Sequence, residues 1–453
     1  MAAAKQGWTK WALCSALVLA GCGGGESKNP PAGSPSGPPS GSDSYAVNIT
    51  VSGLNGSGLV LQNSEGDDLA VASNGLKTFS KRLASGSAYA ISVKSRPRSP
   101  LQTCTVSNGT GNVASENVTN ITVTCADVVS RFAYSPAGPG WSTVSAYKVE
   151  STGALTSLTP ATVSAPGGPW SSAVDPAGRF LYIGSDTSVY RFRIDGAVSP
   201  VGVPDSRTTI NSGNGTRTVA VHPNGKFVYA VNFFSDDIAV FNINAVDGSL
   251  SSAGPPVPTG QQCERFFFDP TATFAYTICL PEQKVYGYRV NGDTGALTPL
   301  GEVLSVSSGG YAIATHPEKR ILYAVDPANN MSAYAINSDG SLSLIGAGVP
   351  SSAAFSLVVE PNGKYVYAVN GAAIRVYSVN TDGSLSFTNT VNFGTGMAYQ
   401  ITSDAAGKFI YVAHTTAARI RVYRIDPADG NLINDVPGSP YVVSGTNSVV
   451  VTY

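Results

Sequence analysis

The chain has 453 residues, only 13% of them charged, and its 28 Lys and Arg against 29 Asp and Glu leave a formal net charge of −1. That balance excludes a nucleic-acid partner and a polybasic membrane surface, whereas a hydrophobic fraction of 42% is enough for a sizeable core. The exposed faces must therefore be built largely from Ser, Thr, Asn and Gly.

Residues 1–22 read as an export signal rather than as part of the fold. Lys5 and Lys10 supply positive charge, and the apolar run from Trp11 to Ala20 is too short to span a bilayer. Leu19-Ala20-Gly21-Cys22 resembles the bacterial lipobox, which implies that Cys22 is acylated and becomes the new N-terminus. More than one acyl chain gives stable anchoring, and Gly23 after the cysteine implies the outer membrane of the bacterial envelope. The membrane, reached through this anchor, is thus an expected partner. Residues 23–43 are Gly, Ser and Pro with almost no apolar content, the composition of a disordered tether.

Residues 44–127 form a separate small unit. Alternating runs at Ala46 to Val51, Gly58 to Leu61, Tyr89 to Val93 and Val118 to Thr124 are split by Gly, Asn and Asp turns, which predicts a small β-sandwich-like domain. It resembles a module common in bacterial lipoproteins and is expected to act as a spacer or contact module. Glu65-Gly66-Asp67-Asp68 lacks the alternating ligand spacing of a calcium loop and reads as a solvated hairpin turn.

From residue 128 to 453 one unit recurs. Its clearest copy, Thr218 to Leu250, holds apolar runs at Val219 to Val221, Phe227 to Val231 and Ile238 to Ile243. His222-Pro223-Asn224-Gly225 and Asp247-Gly248 break them as turns, and a fourth strand follows from Ser249. A tyrosine marks the second strand of each copy, at Tyr134, Tyr182, Tyr229, Tyr276, Tyr323, Tyr367 and Tyr411, with spacings of 48, 47, 47, 47, 44 and 44 residues. A turn glycine gives a second mark, at Gly153, Gly196, Gly248, Gly295, Gly340, Gly383 and Gly430. Seven copies near this period predict an all-β, seven-bladed β-propeller. The array opens on a second strand at Arg131 to Tyr134, and Ser448 to Tyr453 reads as a first strand. The C-terminal strand should therefore complete the first blade and close the ring.

Cysteine use fits an oxidising compartment. Cys14 leaves with the signal and Cys22 takes lipid, so Cys104 and Cys125 remain in the small domain and Cys263 and Cys279 in the propeller. The first two should pair because they are the only cysteines of their domain. For the second pair the hairpin gives the argument. If Val221 faces Phe227 across the turn of the third blade, Phe268 faces Phe274 in the fourth, and Cys263 then stands opposite Cys279.

In a propeller the first strands line the channel, and ligands enter where first strands begin and second strands finish. Aligned copies place Trp170, Arg217, Glu264, Tyr311, Phe355 and Tyr399 at one mouth position, and Ser171, Thr218, Arg265, Ala312, Ser356 and Gln400 at the next. His414 stands at the finishing end of the last second strand. Trp170, Arg217, Glu264, Arg265, Tyr311, Tyr399 and His414 are the mouth candidates, a polar and aromatic mixture suited to a small polar ligand, a peptide or a protein segment. His222 and His316 fall in the turns at the opposite face, so the three histidines cannot converge on one metal. No nucleophile elbow, Walker loop, dinucleotide fingerprint or repeated tryptophan motif of quinone-dependent propellers is present, so neither metal nor cofactor is expected.

Copies such as HPNGKFVYAVNFFSDDIAVFNINAVDGSL and EPNGKYVYAVNGAAIRVYSVNTDGSL resemble the seven-bladed lactonase family related to bacterial 6-phosphogluconolactonase, over about residues 130–453. The resemblance implies a mouth with a Gly-Pro-Arg-His stretch and a Glu after the paired second strand. The nearest counterparts here are Gly215-Thr216-Arg217-Thr218 with Phe233, Gln262-Cys263-Glu264-Arg265 with Leu280, and Gly168-Pro169-Trp170-Ser171. In none do Arg, His and Glu stand together, so the sequence assigns no catalytic residue. It favours a lipid-anchored binding or scaffold propeller without catalysis, with a divergent lactone hydrolase acting at the mouth as the alternative.

Overall fold

The computed structural model describes residues 43–453 apart from 65, 98–101, 129, 139, 196–204, 310–311, 352, 394–396, 444 and 453. Every regular element among the described residues is a β-strand. The third repeat shows how the sequence folds: Thr216–Val221, Phe227–Asn232, Asp237–Ile243 and Leu250–Ser252 pair antiparallel in that order, from the channel outward. Phe227–Asn232 is buried at every residue because blades pack on both of its faces. Its run is therefore continuously apolar rather than alternating.

Seven such sheets follow along the chain. Their second strands are Phe132–Pro136, Phe180–Gly184, Phe227–Asn232, Phe274–Cys279, Ile321–Val325, Tyr365–Val369 and Phe409–His414. The first blade takes its innermost strand from the C-terminus: Val450–Val451 pairs with Phe132–Pro136, with Ala133 facing Val451 and Tyr134 facing Val450. The ring closes as the sequence predicts.

The two repeat marks turn out to be halves of one contact. Each marker tyrosine is fully buried, and a buried hydroxyl needs a partner. Tyr182, Tyr229, Tyr276, Tyr323 and Tyr367 donate to the carbonyls of Gly248, Gly295, Gly340, Gly383 and Gly430, in each case the turn glycine of the next blade, at 2.8–3.2 Å. Tyr411 donates to Gly153 at 3.3 Å and so joins the last blade to the first. The glycine is required twice over at Gly248: its φ is +72°, and a Cβ there would lie 2.5 Å from the Phe180 ring of the preceding blade.

The turn between first and second strands explains two of the histidines. At this position Asp175, Asp269 and Asp404 accept hydrogen bonds from the backbone N–H groups of Phe180, Phe274 and Phe409, each at 2.7 Å. His316 Nδ1 does the same work for Glu318 and Lys319, and His222 Nδ1 for Asn224. Both rings are buried. They are turn acceptors, as their positions beside Pro suggest.

Residues 44–127 build two four-stranded sheets and a two-stranded one, in which Ser44–Tyr45 pairs with Leu83–Ala84. Of the larger two, one runs Gly75–Thr78, Val47–Ser52, Val118–Asp127, Gln102–Ser107, and the other Asp67–Val71, Leu59–Asn63, Ala88–Ser95, Thr110–Asn112. Val47, Ile49, Leu61, Ile121 and Val123 form their common core. Asp68 is salt-bridged to Lys94, and Asp67 accepts from Ser80, so these two carboxylates of the turn have partners within the domain.

Both disulfides are present, with Cα separations of 4.0 Å for Cys104–Cys125 and 3.8 Å for Cys263–Cys279. The register that led to the second differs from the expectation, however. Val221 faces Val228, not Phe227, and Phe268 faces Ala275, not Phe274, so each turn is one residue longer than counted. A one-residue β-bulge between Glu264 and Phe267 restores the count, and Cys263 faces Cys279 after all. The pairing was reached through two offsets that cancel.

Candidate functional site

The bulge that corrects the register also shapes the channel mouth. In the third blade Thr216 faces Asn232 and Thr218 faces Val231, leaving Arg217 as the extra residue. In the seventh, Ala398 faces His414 and Gln400 faces Ala413, leaving Tyr399. In the fourth, the extra residue falls beside Arg265, which has a φ of +61°. Such bulges re-aim a side chain at the end of a strand, and here they serve three of the mouth candidates.

The neighbouring position has a different task. Ser171 Oγ accepts from Val219 N–H at 2.9 Å, Thr218 Oγ1 from Arg265 N–H at 2.9 Å, and Gln400 Oε1 from Val449 N–H at 2.9 Å. Each side chain ties its inner strand to that of the next blade, so the bulged residues sit on a braced ring. A network of buried Ser212, Thr216 and Asn232 with half-buried Asp237 further holds the backbone beside Arg217.

Across the channel three side chains meet. Glu264, only 4% exposed, accepts from the Tyr399 hydroxyl at 3.3 Å. Arg265 Nη2 donates to the Phe355 carbonyl at 3.1 Å and lies 3.5 Å from that of Tyr399, and its guanidinium carbon is 5.3 Å from the Tyr399 ring centre. The fourth blade is thereby joined to the sixth and seventh. Burial first, then the Glu264 charge, push the Tyr399 hydroxyl up to about 12. The shift favours the protonated phenol. On the other side, Arg217 lies 3.7 Å from the Trp170 ring centre and 4.4 Å from that of Phe233.

Glu264, Arg265 and Tyr399 are thus brought together, as are Trp170 and Arg217, with Phe355 stacked on Tyr399 at 6.3 Å between ring centres. Tyr311 lies outside the described residues. His414 lies at the expected end of its strand, but its ring is 1% exposed and packs edge-on against Phe393 at 4.6 Å. Neither ring nitrogen has a partner among the described residues. Sequence reasoning did not single out Phe234, 57% exposed beside Arg217; its place just past the end of the second strand was the available signal. No cluster of His, Cys, Asp or Glu fit to hold a metal occurs among the described residues.

Burial, and behind it Arg421 and Arg419, lower the His414 pKa from 6.5 to about 4. Burial lowers those of His222 and His316 too. A histidine depressed on folding contributes stability present above its unfolded pKa and lost as pH falls through the folded value. His414 alone should cost roughly 3 kcal/mol between pH 7 and pH 4. Burial raises Glu360 and Asp404, which works in the opposite sense as pH falls. The comparison is therefore His414→Phe against the parent, by thermal melting at both pH values. The variant should lose less stability on acidification; equal losses would refute the assignment.

Comparison with known proteins agrees with the seven-bladed fold. The family model described as "Lactonase, 7-bladed beta-propeller" matches residues 131–312 and 268–443. The 6-phosphogluconolactonase of Pectobacterium atrosepticum is 27% identical over 293 residues, 60% of this chain and 85% of that protein. That of Yersinia pestis is 24% identical over 321 residues, 65% of this chain and 91% of its own. Among solved structures, the periplasmic gluconolactonase of Pseudomonas aeruginosa superposes with a TM-score of 0.57 at 16% identity, covering 71% of this chain and 99% of that one. This last likeness is one of fold.

Proposed function

The chain belongs to the seven-bladed β-propeller lactonase family, and from that premise we propose that it hydrolyses a lactone at the channel mouth, with Glu264, Tyr399 and Arg265 as the working groups. The observation that carries this reading is their meeting across the channel. A buried carboxylate, a phenol held protonated and a guanidinium are the kit that lactone opening needs. It displaces the binding or scaffold reading, which rested on finding no Arg, His and Glu together along the sequence.

In this scheme the Glu264 carboxylate takes a proton from water as the water oxygen attacks the lactone carbonyl carbon. Negative charge builds on the carbonyl oxygen, to which Arg265, whose Nε has no acceptor among the described residues, donates; once Glu264 holds the water proton, the Tyr399 hydroxyl turns from Glu264 and donates there as well. As the tetrahedral species collapses, the ring C–O bond breaks and the alkoxide takes the proton held by Glu264. The product is the open hydroxy acid. Glucono-lactone opening by the purified chain, followed as acid release above the uncatalysed rate, tests the proposal. Rates no faster than buffer across a lactone panel would overturn it.

The same proposal places the enzyme in the bacterial envelope, lipid-anchored through Cys22 and held off the membrane by residues 23–43. Cys22→Ser should abolish incorporation of labelled fatty acid; a variant that still takes up label would refute the anchor.

A further inference from the structure

Resting on the reading just given, we infer that the Cys263–Cys279 disulfide is a positioning device for that site: it fixes where the bulge of the fourth blade falls, and so aims both Glu264 and Arg265. Three blades carry a bulge near the mouth end of their inner strand, and each has a closing pair ahead of it: Thr216 with Asn232, Cys263 with Cys279, and Ala398 with His414. The first pair is joined by a hydrogen bond from the Thr216 hydroxyl to Asn232 Oδ1 at 2.7 Å, the second by a covalent bond. In the two blades without the covalent bond the next residue is squeezed out of the ladder, and Arg217 and Tyr399 become the extra residues. Glu264 stands at that same place in the fourth blade but stays in the ladder, opposite Ile278. There the bulge falls later, between Glu264 and Phe267.

The covalent pair has a stricter geometry than the others. A disulfide needs its two Cβ atoms close and turned toward each other, whereas the ladder beside a bulge is bent and locally disrupted. Cys263 opens its strand, so the regular ladder that holds it alongside Cys279 must come from Glu264 and Ile278. Hydrogen-bonded Thr216 and Asn232 tolerate a bulge at the very next residue; the disulfide moves it on. Arg265 carries the consequence, with a φ of +61° and its carbonyl held by the Thr277 hydroxyl at 2.7 Å. Left-handed backbone at a residue other than glycine persists only where its surroundings impose it. A bulge at Glu264 would return Arg265 to the ladder and push Glu264 out of it, and one step of register turns a side chain to the other face of the sheet.

The test uses the full chain carrying Cys263→Ala with Cys279→Ala, and a second variant with Cys263→Thr and Cys279→Asn, which copies the pair of the third blade. With glucono-lactone as substrate, both should lose kcat by about tenfold to a hundredfold, the cost of groups misplaced by about an ångström, while KM changes by less than about threefold. The second variant separates positioning from stability. It should melt above the alanine variant, because its buried pair is hydrogen-bonded, yet remain as slow. A purely structural disulfide would instead return kcat along with the melting temperature; that result, or an alanine variant within about twofold of the parent, overturns the inference. A crystal structure of either variant decides the matter without turnover. Glu264 as the extra residue of the bulge supports the inference even if the parent opens no lactone, and an unshifted bulge refutes it.

Discussion

Glu264→Gln is expected to lower lactone-opening kcat by roughly a hundredfold to ten-thousandfold, the range for loss of a positioned general base. The amide keeps the shape of the carboxylate and can still accept from the Tyr399 hydroxyl, so the link between the fourth and seventh blades persists. What it cannot do is take a proton from water. Tyr399→Phe should cost less in comparison, about a hundredfold, because Arg265 still faces the developing oxyanion. KM should change little in the first variant, since the base acts in the transition state rather than in binding. Thermal melting within a few degrees of the parent would exclude unfolding as the cause. A Glu264→Gln enzyme that retains turnover within about threefold of the parent would remove the mechanism.

The residues of this site were visible in the sequence, whereas their meeting was not. Aligned repeats put Glu264 and Tyr399 at equivalent mouth positions because every blade faces the same packing problem and solves it with similar residues. The same necessity made the tyrosine and glycine marks legible, although they are one contact: each phenol reaches the glycine carbonyl of the next blade. Period alone does not say which side chains lean across the channel. The Glu264–Tyr399 contact joins residues 135 apart, and it depends on bulges that leave no mark of their own in composition. A bulge adds one residue to a strand, and a longer turn does likewise, so counting outward from the turn of the fourth blade could not tell them apart. The disulfide was found because the two offset each other. His414 shows the same limit. Its place at the strand end was legible, but whether its ring enters the channel or the packed interior is set by contact with Phe393, which lies in a connection between blades.

Removal of Thr446 to Tyr453 should destabilise the propeller strongly. The described residues of this segment, Thr446 to Thr452, close the ring. Val450 and Val451 pair with Tyr134 and Ala133, Phe132 N–H donates to Thr452 Oγ1 at 3.0 Å, and Thr452 N–H returns a bond to Phe132 at 2.8 Å. The Ser135 hydroxyl lies 2.7 Å from Thr446 Oγ1, both buried. Two further bonds leave the blade, one from Val449 N–H to Gln400 of the seventh and one from Ser448 to the Trp170 carbonyl of the second. Val449 and Val451 also belong to the core shared with Tyr411 and Val422. Their burial alone is worth about 3 to 5 kcal/mol, a large part of the typical stability of a folded domain. Loss of the strand additionally exposes the inner edge of the first blade, a template for pairing with other chains. The truncated protein should therefore melt at least about 10 °C lower or aggregate, and proteolysis should begin in the first blade. Val449→Ala, which keeps the strand and removes only part of its packing, should fall between the truncated and full chains. A truncated chain that melts with the full one and stays monomeric would mean that the first blade does not depend on this strand.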